Sequence, residues 1–303
     1  FFTGSTYKNQ RRGGKGIFAM ATREEDYVET IFTASTHDNI LFFTNFGRVY
    51  RKKGYIIPEA GRTAKGTNII NILPIEQGEQ VNAMIHIREF PQDKYLVMVT
   101  KTGTVKRMSF SELRNMKNVG IRAIKLDDGD ELISVRETDG NQNIIIATHD
   151  GMAICFKETD VRPMGRAAAG VRGILLREGD FCVGAARCRE GGCLLTVTEN
   201  GYGKKTPINE YLRSGEEPQK RGGIGIKNYQ VTEKTGKVAA VKVVDDNDDV
   251  LIISSDGVII RMAAADINIY GRATQGVRVM RLDEGIKVIS LARTEKETEE
   301  EAE

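Results

Sequence analysis

The sequence predicts an all-β fold of propeller type, with six blades of about 50 residues each. A β-hairpin unit recurs five times, with turn glycines Gly47, Gly103, Gly151, Gly201 and Gly257 spaced by 56, 48, 50 and 56 residues. A glycine-rich basic loop alternates with it, closing at Gly16, Gly66, Gly120, Gly170, Gly225 and Gly276. Long segments of helical period are absent; residues 109–117 hold a turn or two at most. Spacing alone leaves a solenoid open, but six modules suit ring closure better.

The hairpins read in order as NILFFTNFGRVYRKK (39–53), KYLVMVTKTGTVKRM (94–108), NIIIATHDGMAICFKE (143–158), CLLTVTENGYGKKT (193–206) and VLIISSDGVIIRM (250–262). Each is a β-branched run, a glycine turn, and a second strand that in most copies ends in cations. Asp150-Gly151, Asn200-Gly201 and Asp256-Gly257 are pairs that favour the positive-φ turns of tight hairpins. After the closing glycine of each loop comes an apolar residue (Ile17, Ile121, Val171, Ile226, Val277), Thr67 being the exception. Each loop then runs into another strand-like stretch, such as AMIHIR at 83–88 or VAAVKVVD at 238–245. Six loops but five hairpins imply a first blade that is truncated or rebuilt from residues 1–9, as in a fragment of a longer polypeptide.

Composition narrows the function. No apolar run approaches the roughly 18 residues of a membrane span, and the start lacks a signal pattern. Cys155, Cys182, Cys188 and Cys193 form no C-x-x-C pair, and His37, His86 and His149 are scattered. The cysteines read as reduced thiols of a cytoplasmic protein without a metal or other cofactor. Residues 295–303 hold six acids and one lysine, and without them the body has 43 basic against 36 acidic residues. A basic body, 1–294, with an acidic disordered tail, 295–303, suggests a polyanion partner and a segment able to compete for the same surface.

The cations repeat with the modules. Arg51, Arg107, Lys205 and Arg261 stand four residues after the turn glycine, with Lys52 beside the first; the third hairpin has Cys155 there and Lys157 beyond it. Arg122, Arg172, Lys227 and Arg278 stand two residues after the loop glycine. Arg62, Arg166 and Arg272 belong to Gly-Arg-x-x-x-Gly loops, the first also carrying Lys65. The other loop class is Gln10-Arg11-Arg12-Gly13-Gly14-Lys15-Gly16 and Gln219-Lys220-Arg221-Gly222-Gly223-Ile224-Gly225. A single cation is explained by protection of a strand edge. The recurring set maps to equivalent places around a ring and favours a track for a polyanion, with glycine backbone close to phosphate. Such contacts carry no sequence information, so binding to the polyanion is expected to be largely non-specific.

The heptapeptide Gln10-Arg11-Arg12-Gly13-Gly14-Lys15-Gly16 is identical to the box that distinguishes DNA gyrase A from its topoisomerase IV relative, and the chain from Gln10 to about Glu295 resembles the C-terminal β-pinwheel of gyrase A. The resemblance implies a six-bladed β-pinwheel with strands shared between neighbours. It also implies positive wrapping of duplex DNA around the outer edge, as the accessory domain that lets DNA gyrase introduce negative supercoils. The box roles carry over to residues 10–16; the second, box-like loop departs at Ile224, where the box has lysine. Implied partners are the rest of gyrase A, together with gyrase B, in a heterotetramer near the bacterial nucleoid, the isolated domain being monomeric. The competing readings are a propeller scaffold for protein partners, which predicts an apolar patch on one face, and the topoisomerase IV homologue, which the intact box opposes.

No catalysis is expected from the chain alone. The segment GRTAKGT at 61–67 has P-loop glycine spacing without the lysine after its second glycine, and no G-x-S-x-G occurs. Tyr7, Tyr27, Tyr50, Tyr202, Tyr229 and Tyr270 read as core or rim aromatics. The resemblance places the DNA-cleaving tyrosine in a preceding region and the ATPase on a different polypeptide.

Overall fold

The computed structural model describes residues 17–18, 35–58, 67–117 and 120–295. These form five four-stranded antiparallel sheets. In the first, Val81–Ile87, Asn39–Thr44, Arg48–Lys53 and Ile121–Arg122 lie side by side in that order. The second orders Leu132–Thr138, Tyr95–Thr100, Thr104–Ser109 and Val171–Arg172; the third, Cys182–Arg187, Asn143–Thr148, Met152–Lys157 and Ile226–Lys227. The fourth is Val238–Val244, Cys193–Thr198, Tyr202–Pro207 and Val277–Arg278, and the fifth Val288–Glu295, Asp248–Ser254, Val258–Ala263 and Ile17–Phe18.

Every hairpin predicted from the sequence is the centre of one sheet. The first-named strands of successive sheets lie against one another, which makes them innermost. On these inner strands, Arg136 of the second sheet acts on Lys242 of the fourth by charge repulsion. The outer strand of each sheet comes from the loop unit of the following module, and Ile17 and Phe18 pair with Ile259 and Val258 of the last hairpin. Strands are therefore shared between neighbours.

The apolar runs are continuous because both faces of each central strand are covered. From Asn143–Thr148, Ile144 and Ile146 pack with Val97 and Val99 of the second sheet, and Ile145 and Ala147 with Leu194 and Val241 of the fourth. Full burial of one such side chain is worth about 1.5–3 kcal/mol. A register shift recurs where each hairpin strand meets its inner strand, as at Val99/Thr100 and Ile253/Ser254, a bulge that bends the strand. The turn glycines have φ from +72° to +90°. They are also docking points: the Gly201 carbonyl accepts from the amides of Val279 and Met280, and a Cβ there would stand 2.3 Å from the Met280 carbonyl oxygen.

The expected sixth blade is corrected to five sheets among the described residues. Sheet number follows the hairpins, not the loops: five loops each deliver an outer strand, whereas Thr67 begins none. Instead, Ile69–Asn71 forms a 3-10 turn capped by Asn68, and Ile69, Ile72, Leu73 and Ile75 pack with Ile40, Phe42 and Tyr50 of the first sheet. The turn expected within 109–117 is the 3-10 segment Phe110–Leu113.

Candidate nucleic-acid interface

The structure sorts the predicted cations into an exposed set and a buried set. Arg122, Arg172, Lys227 and Arg278 are each the second residue of an outer strand, and all four are exposed. They recur once per sheet over the first four sheets. Arg278 also stacks on Tyr202, its guanidinium 5.3 Å from the ring centre, and donates to the Tyr202 hydroxyl at 2.9 Å.

Loop arginines link these positions. Arg221 donates from Nη1 to the Arg172 carbonyl at 2.8 Å and from Nε to the Asp160 carbonyl at 3.1 Å. Arg272 does the same one module on, to the Lys227 carbonyl at 3.0 Å. Each loop is thereby seated beside the preceding outer-strand cation, giving the succession Arg172, Arg221, Lys227, Arg272, Arg278. Lys220 is exposed next to Arg221. Arg166 is exposed and shares a cleft of about 890 Å³ with Arg48, Arg122 and Glu112. Ile224, which stands where the box has lysine, is exposed at the tip of its loop.

The hairpin cations turn inward instead. Arg107 lies 3.5 Å from Glu158 and 4.7 Å from the centre of the Tyr95 ring, with 7% of its surface exposed. Lys205 pairs with Asp246 at 2.6 Å, and Arg261 with Asp249 at 2.9 Å. All three are buried, and each is paired with a carboxylate of the protein itself. Arg51 and Lys52 are half-buried, Arg51 over the Phe90 ring. The reason is that neighbouring sheets cover both faces of each hairpin, so the residues beside them on the opposite face, Lys106, Lys204 and Ile260, are buried as well. The box residues Gln10, Arg11, Arg12, Gly13, Gly14, Lys15 and Gly16, the loop residues Arg62 and Lys65, and the tail beyond Glu295 lie outside the described residues.

Sequence reasoning missed two lysines. Lys106 and Lys204 stand three residues after their turn glycines and are fully buried. Lys106 Nζ donates to the carbonyls of Ala123, Arg166 and Ala168 at 2.7, 2.8 and 3.1 Å. Lys204 Nζ donates to the carbonyls of Gly271 and Arg272 and to Thr274 Oγ1. Burial pulls their pKa values down to about 8 and about 7, against the raising influence of Glu112 and Glu210. The signal was available in the repeat: this position is Tyr50, Lys106, Ile154, Lys204 and Ile260 in the five hairpins, and a lysine among core residues marks a polar neighbour. Tyr50, Tyr202 and Tyr229 are buried, in keeping with core aromatics. No helix among the described residues is long and apolar enough to cross a membrane.

Comparison with known proteins agrees with the geometry. The model of the family described as DNA gyrase C-terminal domain, beta-propeller, matches residues 2–35, 38–88, 94–139, 142–189, 194–245 and 248–295. The DNA gyrase A protein of Staphylococcus epidermidis is 46% identical over 296 residues, 97% of this chain and 33% of the relative. That of Clostridium acetobutylicum is 47% identical over 298 residues, covering 98% of this chain and 35% of the relative. The chain thus spans about a third of the length of these curated relatives. A solved DNA gyrase A C-terminal domain superposes with a TM-score of 0.85 at 27% identity, covering 96% of this chain and 94% of that one. The C-terminal domain of DNA topoisomerase IV follows at 0.76 and 27%, covering 91% and 85%.

Proposed function

The chain belongs to the family of DNA gyrase C-terminal domains, and from that membership we propose that it binds, bends and wraps duplex DNA around its cationic rim. The observation that carries the reading is the recurrence of one exposed cation in each of four of the five sheets, Arg122, Arg172, Lys227 and Arg278, with loop arginines seated between the last three. A rim of this kind meets phosphates at successive angles, so a duplex following it must bend. Bending a short site by 40–90° costs on the order of 1–6 kcal/mol, offset by the contacts the bend permits. Phosphate contacts position the duplex without reading its bases, so binding is non-specific.

In this reading the box residues Gln10, Arg11, Arg12, Gly13, Gly14, Lys15 and Gly16 extend the track, and immediately precede the strand that joins the last sheet. The wrap is positive, and the chain acts as the non-catalytic accessory domain of DNA gyrase, alongside the rest of gyrase A and gyrase B in the bacterial cytoplasm. Strand cleavage and ATP hydrolysis belong elsewhere in that assembly.

Ligation of a nicked plasmid in the presence of the chain tests the wrap. A positive shift in linking number that grows with protein is expected. An unchanged topoisomer distribution at saturating binding would refute wrapping while leaving simple binding intact.

A further inference from the structure

The two buried lysines have no place in the contact surface itself, yet each holds a loop that does. Lys106 gathers carbonyls of the loop Gly165-Arg166-Ala167-Ala168-Ala169-Gly170, and Lys204 those of Gly271-Arg272-Ala273-Thr274-Gln275-Gly276. Both loops are of the Gly-Arg-x-x-x-Gly class. The loop of the other class rests on an isoleucine: a Cβ built at Gly223 would stand 3.8 Å from Ile154 Cδ1. That loop is held by its own arginine and by the Gly222 amide donating to the Gly173 carbonyl at 2.7 Å. Under the third loop the position is Tyr50, whose ring would stand 2.4 Å from a Cβ at Gly120. The residue three places after the turn glycine thus matches the class of loop that the next module lays upon it.

We propose that Lys106 and Lys204 are positioning residues for DNA binding, each fixing a Gly-Arg-x-x-x-Gly loop from beneath so that Arg166 and Arg272 are presented to phosphate. The inference rests on the reading of the rim as a DNA track. An ammonium has three donors and no acceptor, and three inward-turned oxygens use all of them. With its carbonyls committed inward, the loop holds one backbone course, and the arginine that follows the first glycine leaves it at a set place. Arg166 is exposed there, and Arg272 reaches the Lys227 carbonyl. Lys106 also bonds Ala123, which follows the preceding outer strand, so one ammonium sets the spacing between Arg122 and Arg166. Without it the backbone carbonyls lose their partner, and the loop samples other courses.

A double-mutant cycle on the whole chain separates positioning from stability. The variants are Lys106→Ile, Arg166→Ala and the pair, with Lys204→Ile, Arg272→Ala and their pair as the second cycle. Isoleucine is the native occupant at Ile154 and Ile260, so the fold has a precedent for it. Lys106→Met serves as a second variant if isoleucine prevents folding. Affinity for a short random-sequence duplex is read by fluorescence anisotropy, and folding by thermal denaturation. Each lysine variant is expected to bind about tenfold more weakly, and Arg166→Ala to have less than about a twofold further effect once Lys106 is gone, the coupling expected of groups acting as one unit. Fully additive effects, or unchanged affinity in a folded lysine variant, overturn the proposal and leave the DNA reading standing. Failure of the unaltered chain to bind duplex DNA overturns both.

Discussion

Replacing Arg122, Arg172, Lys227 and Arg278 together with alanine isolates the exposed set. All four are on the surface at two-residue outer strands, so their removal leaves the buried hairpins intact. Each phosphate neutralised by a cation contributes about −0.9 to the slope of log K against log salt on duplex DNA. Losing four such contacts should flatten that slope by about 3.6. Between about 50 and 200 mM salt, the unaltered chain should therefore lose about 150-fold more affinity than the variant. Fluorescence anisotropy titrations of a labelled duplex across that range measure both slopes. The two lines should converge at high salt, and two unrelated DNA sequences should give the same difference. An unchanged slope, with thermal unfolding also unchanged, would place the phosphates elsewhere on the molecule and refute the assignment of this rim.

The buried set should behave oppositely. Arg107→Met leaves Glu158 buried with only Thr138 and the Gln142 amide as partners, so denaturant unfolding should show a loss of about 3 kcal/mol, the low end for a broken buried pair, with no change in salt slope. Gly201→Ala puts a methyl group against the Met280 carbonyl at φ +80°, and its denaturant midpoint should report a loss of about 2 kcal/mol or more. Lys242 is held down to about 7 by Arg136 and then by burial, so between about 7 and its ordinary value near 10.5 the folded state binds fewer protons than the unfolded one. Its penalty is full below pH 7 and fades as pH rises, so Lys242→Met should stabilise the chain at pH 6 and progressively less towards pH 10; equal gains at both would contradict the repulsion. Changing Arg11, Arg12 and Lys15 to alanine should reduce plasmid linking-number change more than duplex affinity, and equal losses of both would reduce the box to ordinary phosphate contact.

Much of the fold was legible because its unit is local. A β-branched run, a glycine turn and a second strand within 15 residues define each hairpin, and all five predicted hairpins are present. Continuous apolar runs such as Ile144-Ile145-Ile146-Ala147 announced strands, and the structure covers them on both faces. The spacing of the loop glycines announced a repeated loop, but all six copies were expected to lead into strands, and Thr67, the copy without an apolar follower, begins no outer strand.

The cations show what local pattern could not give. Arg107 and Arg172 looked alike as recurring basic residues, yet one lies against Glu158 and the other faces solvent. Lys106 and Lys204 drew no notice because the loop partners they hold are 60 or more residues away, where the next module folds back over them. The blade count exceeded the five sheets of the described residues because it followed the loops, and Thr67 begins no outer strand. By itself the sequence determined the hairpins, their number and the basic character of the repeated positions, because these follow from turn chemistry and side-chain alternation over a few residues. Which strand pairs with which module, and which cations reach solvent, was decided only in the tertiary structure, where packing of one sheet against the next fixes the face on which each side chain emerges.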